Sequence, residues 1–201
     1  MLASVNTMSI EKRKYELKSR AAAQKQTRER IVAATMELHM EVGPALTTVA
    51  EVARRAGVQR LTVYNHFPDD AELFGACQAH WMQLHPLPDF DAALAADDPA
   101  ERVRTTLRGY YRWYRETEPM ARNIQRDRGA VPALDSLMRR TADARLDQLA
   151  DMLAAGLGAG LERRALIRLA FDFWTWRRLS REGLDDETAA ELMTTAAASL
   201  S

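Results

Sequence analysis

The chain has 201 residues, 47% hydrophobic and 28% charged. That is enough for one large domain or two small ones with a real core, and too apolar for global disorder. Its single cysteine, Cys77, excludes an internal disulfide framework. No run of about 18 apolar residues offers a membrane span.

The net charge of zero conceals a split. Residues 1–67 hold 11 Lys and Arg against 6 Glu, whereas residues 68–201 hold 17 Arg against 22 Asp and Glu. All four lysines lie near the start, at Lys12, Lys14, Lys18 and Lys25. Such a basic end is either a solvated tail or a surface for a polyanion, with double-stranded DNA the first candidate. The N-terminus is polar and lacks the apolar core of a signal peptide, so the expected location is cytoplasmic.

Alanine is frequent, β-branched runs are rare, and apolar residues recur every three or four positions. This predicts an all-α fold. Residues 1–8 read as frayed. Residues 9–26 are charged with little apolar periodicity, and read as either an arm without fixed structure or a helical extension. Thr27–Val42 is a stronger helix, with Ile31, Ala34, Thr35, Leu38 and Val42 on one face and Gly43-Pro44 ending it. Thr47 or Thr48 caps a short helix ending at Ala56-Gly57. A third covers about Arg60–Phe67, and Asp69 or Asp70 caps a fourth running to about His85. Pro86 and Pro88 break the chain. A helix then starts at Pro99 and runs to about Tyr114. Further helices are expected near 120–126, 132–155, 162–181 and 185–199. The Gly156–Gly160 stretch has no strand before it and reads as a terminator and loop rather than a dinucleotide fingerprint.

The informative stretch is Thr47–Phe74. A short helix, a tight turn at Gly57 and a second short helix have the length and punctuation of a helix-turn-helix. Val49, Val52, Ala53, Val58, Val63 and Phe67 would pack the two helices together. Gln59, Arg60, Thr62, Asn65 and His66 remain as a polar, acid-free face. A helix of about 10–12 Å diameter fits the major groove, where Arg60 can reach guanine and Gln59 or Asn65 adenine.

From Thr27 to Phe74 the chain resembles the TetR family of bacterial transcriptional regulators, which implies a helix-turn-helix DNA-binding domain over 27–74 and a ligand-binding and dimerisation domain over 75–201. The resemblance rests on R-x-R-I-V-A-A at Arg28–Ala34, G-P-A-x-T-T-V at Gly43–Val49 and V-A-x-x-A-G-V at Val52–Val58. It continues with T-V-Y-N-H-F-P at Thr62–Pro68 and then Leu73-Phe74. The resemblance implies that Thr48 touches phosphate at a helix N-terminus. It implies that Arg60, Leu61 and Thr62 read bases and that Tyr64 and His66 contact phosphates, with Gln59 and Asn65 beside them. Two residues depart from the pattern. Leu61 replaces a small residue or proline and offers a contact to a thymine methyl. Asp70 stands where many members carry a phosphate-binding lysine, and reads as a helix cap. Lys25, Arg28 and the rest of the basic arm would compensate, through the minor groove.

The second half is rich in aromatics. Tyr110, Trp113, Tyr114, Phe171 and Trp174, with Asn123 and Asp127, are candidates to line a site for a small apolar or aromatic effector. The competing reading makes these side chains core. Leu166, Leu169, Phe173 and Trp176, with Leu192 and Ala196, form stripes at helical spacing. In this family such stripes would build a homodimer through a four-helix bundle. Two recognition helices about 34–36 Å apart would then read a near-palindromic operator.

No nucleophile elbow, P-loop or zinc-protease motif is present. Cys77, His80 and His85 lie close together without a distant partner, which is poor for a metal site. No cofactor, metal or catalytic residue is therefore expected. The resulting expectation is a ligand-responsive, dimeric DNA-binding regulator, acting as a repressor. An architectural DNA-binding protein comes next, and a small helical carrier or enzyme last.

Overall fold

A computed structural model describes the backbone of residues 3–158 and 160–200, and side chains from Lys18 onward. Among these residues there are helices and turns and no strand. The first helix, α1 (Ala3–Glu41), is continuous, so neither fraying over the first eight residues nor a helix start at Thr27 is found. Met1 and Leu2 lie outside the described residues. The physical reason is local: no glycine or proline occurs from Ala3 to Val42, and the charged stretch is rich in Ala, Lys, Arg and Gln, which favour helix. Gly43 ends it at φ 95°, and a 3-10 turn follows at Pro44–Leu46.

The next helices are α2 (Val49–Ala56), α3 (Arg60–His66) and α4 (Asp70–Leu84). Thr48 caps α2 by accepting from the Glu51 N–H at 3.2 Å. Asp69, not Asp70, caps α4 by accepting from Glu72 N–H at 2.8 Å. Asp70 is the first residue inside α4, where a carboxylate favours the helix N-terminus.

A one-turn helix unforeseen in the sequence, α5 (Asp91–Leu94), precedes α6 (Pro99–Asp127). The latter runs unbroken through Pro119, where two helices were expected. Pro119 sits on the exposed side, and the nearby Thr117 hydroxyl donates to the Trp113 carbonyl at 2.7 Å. Then come α7 (Pro132–Met138), a π turn (Arg139–Asp143) and α8 (Ala144–Gly156). The expected single helix at 162–181 is two, α9 (Leu161–Ala170) and α10 (Phe173–Arg181). Asp172 forces the division by capping α10, accepting from Thr175 N–H at 2.8 Å. Helix α11 (Asp186–Ala198) closes the fold. Of the glycine-rich stretch, Gly156 ends α8, Gly158 turns at φ 98° and Gly160 caps α9, while Ala159 lies outside the described residues.

Two apolar cores result. One joins α1–α4 through Ile31, Val52, Val63, Phe67 and Trp81, and reaches Met120 on α6. The other joins α6 and α8–α11 through Leu107, Tyr111, Ile167, Phe173 and Trp176. Helix α6 is thus shared: its first half is buried in the body and Met120 in the head. Two tyrosine hydroxyls reach the break after α9. Tyr111 donates to the Ala170 carbonyl at 2.8 Å and Tyr114 to the Phe171 carbonyl at 2.9 Å, satisfying groups the helix end leaves open.

Candidate nucleic-acid interface and effector cavity

The α2–α3 unit is built around Gly57. Its backbone is left-handed (φ 65°, ψ 41°), a conformation glycine adopts without penalty, and Val58 N–H returns to the Ala53 carbonyl at 3.0 Å. Val52, Ala53, Ala56, Val63 and Phe67 face inward. The opposite face of α3 presents Gln59, Arg60, Leu61, Tyr64 and Asn65 to solvent, with Thr62 and His66 half-buried. Leu61 is 66% and Tyr64 53% exposed, high values for apolar side chains without a partner. No acid lies between Gln59 and Phe67. The other arginines of the unit are engaged: Arg54 pairs with Glu51, and Arg55 bridges to Glu41 at 2.6 Å. Among the described residues Arg60 makes no ion pair.

Behind this unit, between α1, α4, α6, α7 and the π turn, lies a cavity of about 130 Å³. Met36 and His39 of α1, Cys77 and Trp81 of α4, and Tyr110 and Trp113 of α6 are among its walls. The wall is almost free of charge at neutral pH. Burial drives the His39 pKa down to about 4 against the opposing pull of Asp127, and drives the Cys77 thiol up to about 12. Burial likewise raises Tyr110 to about 12 and holds Tyr114 protonated. Asp143, at the edge, is clamped by Arg128 at 2.6 Å. A second cavity shares the Tyr114, Gln125, Asp143 and Leu146 wall and adds Arg128, Asp147, Arg168 and Phe171.

The cavity adjoins the joint between head and body. Asn123 Nδ2 donates to the His39 carbonyl at 2.9 Å and the Met40 carbonyl at 2.8 Å, and Arg126 donates to the Val42 carbonyl at 2.9 Å. Asp127 accepts from Ala45 N–H at 3.0 Å and from Arg126 Nε at 2.6 Å. The Arg126 hydrogen bond, aided by the Ala45 N–H, holds the Asp127 carboxyl below its ordinary pKa.

Residues 31–77 match the family model for bacterial regulatory proteins of the tetR family. This segment is a TetR-family DNA-binding domain. Two curated relatives come from Pseudomonas putida. One is TtgW, an uncharacterised HTH-type transcriptional regulator, 38% identical over 84 residues. The other is the HTH-type transcriptional regulator SrpR, 37% identical over 84 residues. Each match covers 41% of this chain, and the chain spans 61% and 38% of the two relatives' lengths. Among solved structures, a transcriptional regulator from Rhodococcus sp. Rha1 superposes with a TM-score of 0.60 at 20% identity, covering 84% of this chain and 94% of that one. A TetR-like regulator from Rhodococcus sp. RHA1 gives 0.57 at 18% identity, covering 85% and 93%. At these identities the superpositions establish the shared fold.

Within the TetR-family head, the side chains expected on the reading face are arranged as stated above, but Arg28 is not free to read DNA. Its Nη1 donates to the His66 carbonyl at 2.7 Å and its guanidinium lies 4.0 Å from the centre of the Phe67 ring. Arg28 therefore closes the C-terminus of α3. Lys25 is exposed beside Glu29, at 3.8 Å.

In the body, Tyr110, Trp113 and Tyr114 line the cavity behind the head, whereas Phe171 faces the second one. Asn123 and Asp127 are spent on the joint rather than offered to a ligand. Trp174 points outward, 43% exposed. Phe173 and Trp176, expected at a dimer interface, are buried in the chain's own core because the break at Asp172 turns α10 inward. Leu166 packs against that same core and Ala196 is half-buried, while Leu169 and Leu192 remain on the surface.

His39, which no motif in the sequence singles out, is a cavity residue. Its position one turn before Gly43 was visible, but the cavity depends on packing against Phe74, 5.4 Å away between ring centres. Among the residues searched, no group of three or more His, Cys, Asp or Glu is placed to hold a metal ion. No described helix is long and apolar enough to cross a membrane.

Proposed function

We propose that this protein is a sequence-specific, dimeric transcriptional repressor that leaves a near-palindromic operator when a small neutral, apolar or aromatic effector binds. The observation that carries the reading is the acid-free, solvent-facing side of α3 in a TetR-family head. Arg60 and Asn65 offer bidentate donors and acceptors for base edges, Leu61 an apolar surface for a thymine methyl, and Tyr64 and Thr48 hydroxyls for phosphates. Gln59, Thr62 and His66 complete the face.

The effector class follows from the cavity. An unpaired charge would lose its water there and gain no counter-charge beyond the clamped Asp143, which disfavours carboxylates and phosphates. Aromatic walls and a protonated thiol favour a neutral ring system. Helix α1 forms part of the cavity wall and also part of the head core, so an occupant can bias the head directly. Exposed Leu161, Leu169, Trp174 and Leu192 supply apolar area for a second copy of the chain.

The test is fluorescence anisotropy against duplexes selected from a random pool, followed by a thermal-shift screen of neutral aromatics. A hit should raise Tm by linkage and weaken operator binding. A hit that raises Tm but leaves operator affinity unchanged would refute the effector mechanism. Failure to select any sequence would refute the regulator reading.

A further inference from the structure

Helix α1 extends well beyond the core it helps to build. Its C-terminal end is fastened to the body, where Asn123 and Arg126 hold the carbonyls of His39, Met40 and Val42. Twelve residues earlier, about 18 Å along a helix axis, Arg28 is fastened to the C-terminal end of α3. The order along the axis is therefore body, recognition helix, extension. Chain N-terminal to Arg28 leaves the head on the side away from the body, past the end of the reading helix.

Every residue from Lys18 to Gln26 is exposed. An ordinary amphipathic helix would bury one face, and this one buries none. Lys18, Arg20 and Lys25 lie here without a single acid among residues 18–26, and Lys18 and Lys25 share a helix face seven residues apart. Lys12, Arg13 and Lys14 continue the cationic run in sequence. From Arg28 to Lys18 the axis advances about 15 Å, the length of four to five base pairs at 3.4 Å each.

We infer that the α1 extension is a second DNA-contacting element, a helical arm whose cations follow the phosphate backbone flanking the bases read by α3. The inference rests on the DNA-binding reading above and adds a partner for a helical segment that, over the described residues 18–26, buries no face. The arm supplies affinity and footprint, α3 supplies sequence choice. It also accounts for a head that carries Asp70 at the start of α4 and spends Arg28, Arg54 and Arg55 internally. The cations missing from the head's own surface are found on the extension.

The test uses the full chain and a charge-neutralising variant, Lys18→Gln, Arg20→Gln and Lys25→Gln together. Glutamine keeps helix propensity, and all three sites are exposed, so Tm should not move. Anisotropy titrations over 50–200 mM KCl would use two 40-base-pair duplexes, one of mixed sequence and one selected from a random pool. The variant's log–log salt slope should be shallower by about 2–3 per bound chain, at about 0.9 for each phosphate left without its cation. Affinity should fall by a similar factor for both duplexes, leaving their ratio intact, and the protected footprint should shorten at its outer edges. An unchanged slope with unchanged footprint overturns the arm while leaving the head's function standing. A wild-type protein that binds neither duplex overturns the DNA reading itself. A variant that keeps the wild-type DNA slope but loses binding to vesicles with 30% anionic lipid overturns the arm in favour of a membrane surface.

Discussion

The two halves of the molecule place their informative side chains on opposite sides of the backbone. In the head, Leu61 and Tyr64 face solvent and the small residues Val52, Ala53 and Ala56 face inward. In the body, Tyr110, Tyr111 and Tyr114 face inward and exposed positions of α6 are charged, with Arg104, Arg108 and Arg115 paired to Glu191, Glu187 and Asp186 of α11. Leu61 and Tyr64 belong to the α3 face proposed to meet DNA, whereas the body's exposed apolar side chains, among them Leu161, Leu169, Trp174 and Leu192, lie on its later helices. Buried aromatics satisfy one another, and several arrangements do so equally well. The chain matches curated relatives at 37–38% identity over 84 residues, and a solved structure at 20% over 84% of its length.

The sharpest way to break this contrast is at the joint, where the halves must act as one. Gly43 needs φ 95°, and a Cβ there would collide with Arg126 and Asp127. Gly43→Ala should cost about 3–4 kcal/mol from positive-φ strain and from displacing Arg126 and Asp127, which hold the joint. Urea unfolding monitored from both halves should show the loss. A cost under about 1 kcal/mol would mean that the joint yields and the halves are loosely coupled.

Arg60→Ala tests the head's outward chemistry. It should cost about 1–3 kcal/mol on the selected operator and relax preference at one base pair, with little effect on mixed-sequence DNA. Equal losses on both duplexes would reassign Arg60 to the phosphate backbone.

The body's inward chemistry has a pH signature. His39 is neutral in the fold, with a pKa near 4 against an ordinary 6.5. Between those values the unfolded chain binds the extra proton, so stability is full above about pH 7 and falls as pH drops toward 4. About 2 kcal/mol should be lost between pH 7 and 5. Asp127, whose pKa is lowered, begins to contribute a loss only near and below its ordinary pKa of 3.8. His39→Gln should flatten the slope above pH 5. If wild type and variant show the same slope, His39 is hydrated and the cavity is wetter than its lining implies.

The smallest effect belongs to the turn between α2 and α3. Gly57→Ala meets no close neighbour except Arg30, 3.8 Å away, so only the φ of 65° opposes it. A loss of about 1 kcal/mol is expected by thermal denaturation. A loss of about 3 kcal/mol or more would show that the turn is held by packing rather than by its backbone.

What could be read from the sequence follows the same division. The α2–turn–α3 unit is legible because its signals are local: a threonine cap, a glycine turn and alternating buried and exposed residues within one short span. The length of α1 was open because charged residues do not announce whether a helix continues without a partner. Pro119 suggested a break that long-range packing of α6 overrode. The division of α9 from α10 depended on Asp172, whose role as a cap was not distinguishable from a surface acid. The assignments of Asn123 and Asp127 failed because polar residues near aromatics suit a ligand site and a helix joint alike. Only the carbonyls of His39 and Met40 and the N–H of Ala45, brought from some 80 residues away, decide between them.

Cys77 lines the cavity behind the head and is the chain's only cysteine. It is 5% exposed, and burial keeps its thiol protonated. The protein thereby contains a native chemical clock for its own breathing. A small uncharged maleimide can alkylate that sulfur only while α4 stands away from α1 and the thiol is wet enough to ionise. The rate of adduct formation, followed by mass spectrometry without any engineered label, would time the opening of the cavity between α1 and α4.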